Sequence, residues 1–125
     1  MSNEALKIIS ESLESIGINY EFGTWSGKIV YPYFTGEYQE VTPINEDGMQ
    51  ESTFILTGFS RDSWLALENA KSKIKKKFNK TDGLLFIAED GTAVAIFYGN
   101  SQIIPTVDAE LKKIQINLVV KEWSV

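Results

Sequence analysis

The sequence predicts an α+β domain, an antiparallel-rich sheet with two helices packed against it, and three observations carry that reading. Two segments space their apolar residues as helices do. Much of the remainder is dense in β-branched and aromatic residues interrupted by glycine, proline and aspartate. The closing segment alternates Ile114, Ile116, Leu118 and Val120, the pattern of a strand with one buried face.

The first helix is expected over Asn3 to Ile16. Leu6, Ile9, Leu13 and Ile16 form its apolar stripe, with Glu4, Lys7, Glu11 and Glu14 on another face. Gly17 supplies a left-handed cap, and Ile18 follows for the accompanying apolar contact. Ile8 points away from the stripe, which makes it a candidate partner contact.

Strands are expected at Ile18–Phe22, Ile29–Thr35 and Glu37–Thr42, with breaks at residues 23–27 and at Gly36. Pro32 cannot donate to a ladder, so its segment should be an edge strand or a bulge. Residues 42–51 combine turn formers with Glu46, Asp47 and Glu51 and read as a projecting acidic loop. Their spacing fails the calcium-loop pattern.

Ser52–Phe59 alternates Phe54 and Leu56 against Thr53, Ile55 and Thr57, and leads into the second helix, capped by Ser60 or Asp62. Its stripe is Trp64, Leu67, Ala70, Ile74 and Phe78, and Leu65 faces outward. Six lysines at 71, 73, 75, 76, 77 and 80 spread around this helix and its end, which suits solvation and the helix dipole better than a nucleic-acid footprint. A hairpin follows, Leu84–Ala88 and Ala93–Tyr98, turning at Asp90-Gly91 and ending at 99–101. Pro105 fixes an extended crossing before a short turn and the last strand.

Composition bounds the function. The chain has 125 residues, 43% of them apolar, enough for one domain over 1–125 with a core of its own. It has no cysteine and no histidine, which excludes thiolate nucleophiles, Ser/His and Cys/His machinery and histidine-based zinc sites. No run has the length of a membrane span, and the start lacks a secretory pattern. Glu89 and Asp90 are adjacent in a turn, a poor arrangement for an acid–base pair. With no phosphate loop, dinucleotide fingerprint or nucleophile elbow, the reading is a non-enzymatic protein with no catalytic, cofactor or metal residues and no small-molecule substrate.

Charge is unevenly divided. Residues 1–60 hold nine carboxylates against two lysines, a net of −7, and residues 61–125 hold ten cations against eight carboxylates, a net of +2. Such asymmetry suits head-to-tail contact between copies. The candidate subunit or partner contacts are therefore Glu46, Asp47 and Glu51 against Lys73, Lys76 and Lys80, with Ile8 and Leu65 as apolar candidates.

Tyr31-Pro32-Tyr33-Phe34, residues 36–40, Phe54–Phe59 leading into the Trp64 helix, Ile104–Leu111 and Val119–Trp123 together resemble the small tail-completion proteins of long-tailed phages and prophages, the tail terminators and minor tail components. The resemblance implies a ring, typically of six copies, that caps the tail tube and meets the head connector. It implies assembly in the host cytoplasm, residence in the virion tail, and no cofactor, membrane or specific nucleic-acid partner. The alternative is a small soluble protein-binding or regulatory module.

Overall fold

Helix α1 (Asn3–Ser15) is opened by Ser2, whose hydroxyl accepts the Ala5 N–H at 3.1 Å. It is closed by Gly17 at φ +77°, with Gly17 N–H bonded to Glu14 O and Ile18 N–H to Leu13 O, the double bond pattern of a left-handed cap. The architecture comes from a computed structural model that describes residues 1–41, 48–61 and 63–124.

Five further strands and a helix follow a short first strand. They are β1 (Tyr20–Phe22), β2 (Tyr33–Val41), β3 (Met49–Ser60), α2 (Trp64–Lys77), β4 (Leu84–Ile87), β5 (Ala93–Ile103) and β6 (Lys112–Trp123). The strands form one sheet in the order β1-β2-β3-β6-β5-β4, antiparallel except for the β1–β2 pair. This is the expected α+β fold. The final strand lies mid-sheet, between β3 and β5, with Ile114, Ile116, Leu118 and Val120 buried.

Both helices cover the same face, and a single core joins Ile9 and Leu13 of α1, Leu67 and Ile74 of α2, and Phe34, Phe54, Leu56, Ile96 and Leu118 from four strands. Along β3 and β6 the covered residues alternate with half-buried ones, as period-two geometry requires. Phe78 ends α2, and its carbonyl accepts the Tyr98 N–H at 2.8 Å, fixing the helix end to β5.

Several local expectations are corrected. Ile8, expected to face outward, is only 7% exposed and belongs to the core. The buried face of α1 is Ala5, Ile8, Ile9, Ser12 and Leu13, a stripe centred on small residues that a search for large apolar ones overlooks. Gly36 does not break a strand: β2 runs through it, and a Cβ there would lie 2.5 Å from Phe54 Cζ and 2.8 Å from the Tyr20 ring. Residues 29–32 are not a strand, because the ladder with β3 begins only at Tyr33, and the Tyr31–Pro32 bond just before it is cis.

The expected loop over 42–51 overlaps β3, which starts at Met49; residues 42–47 lie outside the described residues. Ser63 caps α2, accepting the Ala66 N–H at 3.4 Å, in place of Ser60, which is buried, or Asp62, which lies outside the described residues. Trp64 sits at the rim of its stripe, 38% exposed.

The hairpin turn has a positive φ at Gly91 alone. Gly91 N–H bonds to Ala88 O and Ala88 N–H to Thr92 O, which makes a three-residue loop with a glycine bulge. Residues 99–101 do not end β5 either: the register shifts by one residue between Tyr98 and Asn100, and the strand continues to Ile103.

Candidate assembly surface

Among the described residues the second face of the sheet carries no helix. Across it run the cross-strand rows Tyr33, Phe59 and Lys113; Thr35, Thr57 and Gln115; Glu37, Ile55 and Asn117; and Gln39, Thr53 and Val119. The β3 and β6 members are half-buried, shielded by their lateral neighbours. Amide side chains order part of this surface: Asn117 Nδ2 donates to Asn100 Oδ1 at 2.7 Å, and Gln115 Nε2 donates to Asn117 Oδ1 at 3.1 Å.

One end of this face is aromatic. Tyr33 stacks on Phe59 with centroids 4.9 Å apart, and Trp25 and Tyr31 approach Tyr33 at 4.9 and 5.7 Å. Lys113 Nζ stands 5.5 Å from the Phe59 ring centre. Beside this strip Arg61 Nε donates to the Tyr31 hydroxyl at 3.2 Å, and Arg61 Nη1 meets Asp108 Oδ2 at 2.8 Å. One guanidinium thus ties together the β1–β2, β3–α2 and β5–β6 connections. The strip was not legible as a motif, because its members come from distant segments and meet only through strand register.

Among the described residues the titratable groups that shift all move away from neutrality. Ser26 holds the Glu21 carboxyl low through its backbone N–H and hydroxyl, and the Glu110 N–H and Arg61 do the same for Asp108. Thr92 lowers Asp90. Burial pushes Tyr20 up to about 12 and raises Tyr33. None of these shifts poises a general acid or base near pH 7. Among the described residues no three Asp, Glu, His or Cys side chains gather into a metal site, and no helix is long and apolar enough to cross a membrane.

The two lateral edges differ, one apolar and the other carrying Glu37, Gln39 and Glu40 beside Tyr38 and Val41. On β4, Leu85 and Ile87 are 71% and 74% exposed. Between this strand and α1 runs a groove of about 260 Å³ floored by Ile8 and Phe86. At the opposite edge β1 covers β2 only from Phe34 to Gly36, leaving Glu37–Val41 paired with β3 alone among the described residues.

The expected contact residues scatter over this frame. Glu46 and Asp47 lie outside the described residues. Glu51 sits in β3 directly between Val41 and Lys121, near one end of the sheet. Lys73 and Lys76 belong to the helix layer, beside Ile16, and Lys80 is exposed beyond the end of α2. Of the three acids only Glu51 is described, and its cross-strand partner is Lys121 and none of Lys73, Lys76 or Lys80. Leu65 is outward-facing as expected, 67% exposed. Of the other lysines, Lys71 pairs with Glu68 at 2.7 Å and Lys75 lies 5.1 Å from the Tyr98 ring centre.

No protein-family model and no curated protein matches this sequence. Among solved structures, the chain is similar to a chain in the virion of a native gene transfer agent particle. The superposition has a TM-score of 0.67 at 10% identity and covers 90% of this chain and 84% of the other. At that identity the likeness shows a shared fold.

Proposed function

We propose that this chain is a non-enzymatic structural protein of a phage-like virion, a ring-forming tail terminator or minor tail component acting at the end of the tail tube. The observation that carries the reading is the fold shared with a gene transfer agent virion chain over nearly the full length of both. The similarity embraces the whole domain, so what is shared is not one motif borrowed by an unrelated scaffold.

The surface supports the same reading. A sheet with one face uncovered among the described residues, one apolar edge and one acidic edge is suited to lateral contact, and dissimilar edges favour head-to-tail association over a two-fold dimer. Its partners are then further copies of itself and neighbouring tail or head-connector proteins, met in the host cytoplasm and kept in the virion tail.

Mass measurement decides it: first on the free protein, then on the protein mixed with tail tubes of the cognate particle. The expected result is a closed oligomer, of six copies in the simplest case, formed free or on the tube, with tubes that no longer elongate. Protein that stays monomeric and ignores the tubes would overturn the proposal in favour of a protein-binding or regulatory module.

A further inference from the structure

Edge strand β4 and the groove beside it have the form of a strand-acceptor site. Leu84–Ile87 pairs with β5 on one side only, so its outward backbone groups are unpaired among the described residues. Phe86 lies between two adjoining hollows, one of about 260 Å³ against Ile8 and one of about 370 Å³ against Glu4. The walls carry four carboxylates, Glu4, Glu11, Glu89 and Asp90, against two cations, Lys7 and Lys77.

A matching donor exists on the same chain. Lys28-Ile29-Val30-Tyr31 equals β4 in length, is β-branched at its centre and precedes a proline, which biases the backbone toward extended forms. Ile29 and Val30 are 53% and 52% exposed and make no hydrogen bond among the described residues. The segment connects β1 to β2, at the sheet edge opposite β4, so donor and acceptor of one copy face away from each other.

We infer that residues 28–31 of one copy add as a strand to the β4 edge of the next, with Val30 over Ile8 and Phe86 and Ile29 against Leu85 and Ile87. Main-chain bonds to an exposed edge supply affinity, and alternate side chains set register. Lys28 complements the acidic groove, whereas two β4 edges brought together would oppose acidic wall to acidic wall. The contact joins unlike surfaces and propagates from copy to copy. This inference rests on the ring reading and names the surface that would close it.

The absence of native cysteine makes the test clean. Directly opposed residues on neighbouring strands lie within disulfide reach. Ile29→Cys combined with Leu85→Cys, or with Ile87→Cys to cover the adjacent register, should on mild oxidation yield a covalent ladder ending at the mass of the assembled ring. The single variants should yield none. Ile87→Lys, checked for an unchanged thermal melt by circular dichroism, should weaken assembly about tenfold or more. A ring of correct mass in which neither pair cross-links overturns this contact and leaves the ring standing. Dimers cross-linked by Leu85→Cys alone overturn it in favour of edge-to-edge symmetry. Failure to form any oligomer, with or without tubes, overturns the ring and this contact together.

Discussion

The helix-covered face and the open face of the sheet are made from the same strands, residue by residue in alternation, and they differ in what limits each side chain. On the covered face Phe54, Leu56, Ile116 and Leu118 have no exposure at all, and α1 and α2 lock them from above. On the open face Thr53, Ile55, Gln115 and Asn117 are only half-buried, held by lateral neighbours. The first face decides whether the chain folds. The second is free to vary with whatever it meets.

The largest expected effect separates the faces at adjacent positions of β6. Leu118→Asp removes a buried leucine, worth about 2–5 kcal/mol, and places an unpaired carboxylate in the core, which adds its desolvation cost. The variant should show no cooperative melt by circular dichroism. Asn117→Asp, one residue along on the open face, should fold and melt cooperatively, losing only the exposed bond that Asn117 donates to Asn100, worth about 1 kcal/mol. Equal behaviour of the two would mean that helix cover is not what distinguishes the faces.

A smaller effect tests how tightly the covered face is packed. At Gly36 an added methyl would strike the rings of Phe54 and Tyr20, and at Gly58 it would overlap the ring of Phe34. Gly36→Ala and Gly58→Ala should each cost about 1–3 kcal/mol in urea unfolding. Gly27→Ala meets nothing within 4 Å and should cost little. Similar losses at all three would mean that ring contact is not the cause, since chain entropy by itself favours alanine.

These glycines also mark what the sequence could and could not convey. Alternation in β3 and β6 was legible because one face is buried and the period of two is strict. Gly36 looked like a strand break because glycine is usually read as local punctuation, whereas here it makes room for rings that come from β1 and β3. Gly99 likewise looked like an end and is the site of a bulge that β5 runs through. Ile8 faces inward, against the large-residue pattern, because the buried helix face is centred on Ala5 and Ser12. The Tyr33–Phe59–Lys113 row, by contrast, had no local signal, since it exists only once β2, β3 and β6 are in register. The groove beside β4 is of the same kind, an arrangement of α1 against a strand far along the chain.

The smallest effect lies at the rim of the open face, where Arg61 joins three connections. The Asp108 carboxyl is held below its ordinary 3.8 by the Glu110 N–H at 3.0 Å and by Arg61. Its ionised form therefore favours the folded state, a contribution complete above about pH 4 and lost as pH falls through the lowered folded value. Asp108→Asn should lower the melting temperature slightly at pH 7, and the gap to the unaltered protein should narrow below pH 4. Both partners of the Arg61–Asp108 pair are substantially exposed, so 1 M salt, which shortens screening to about 3 Å, should shrink the pH 7 gap. Asp90→Asn, in the hairpin turn where Thr92 donates to the carboxylate, should show the same narrowing in acid but little salt response, because its partner is an uncharged N–H. A salt-insensitive gap at Asp108 would assign its role to the Glu110 turn alone and leave Arg61 bound to Tyr31 without joining the third connection.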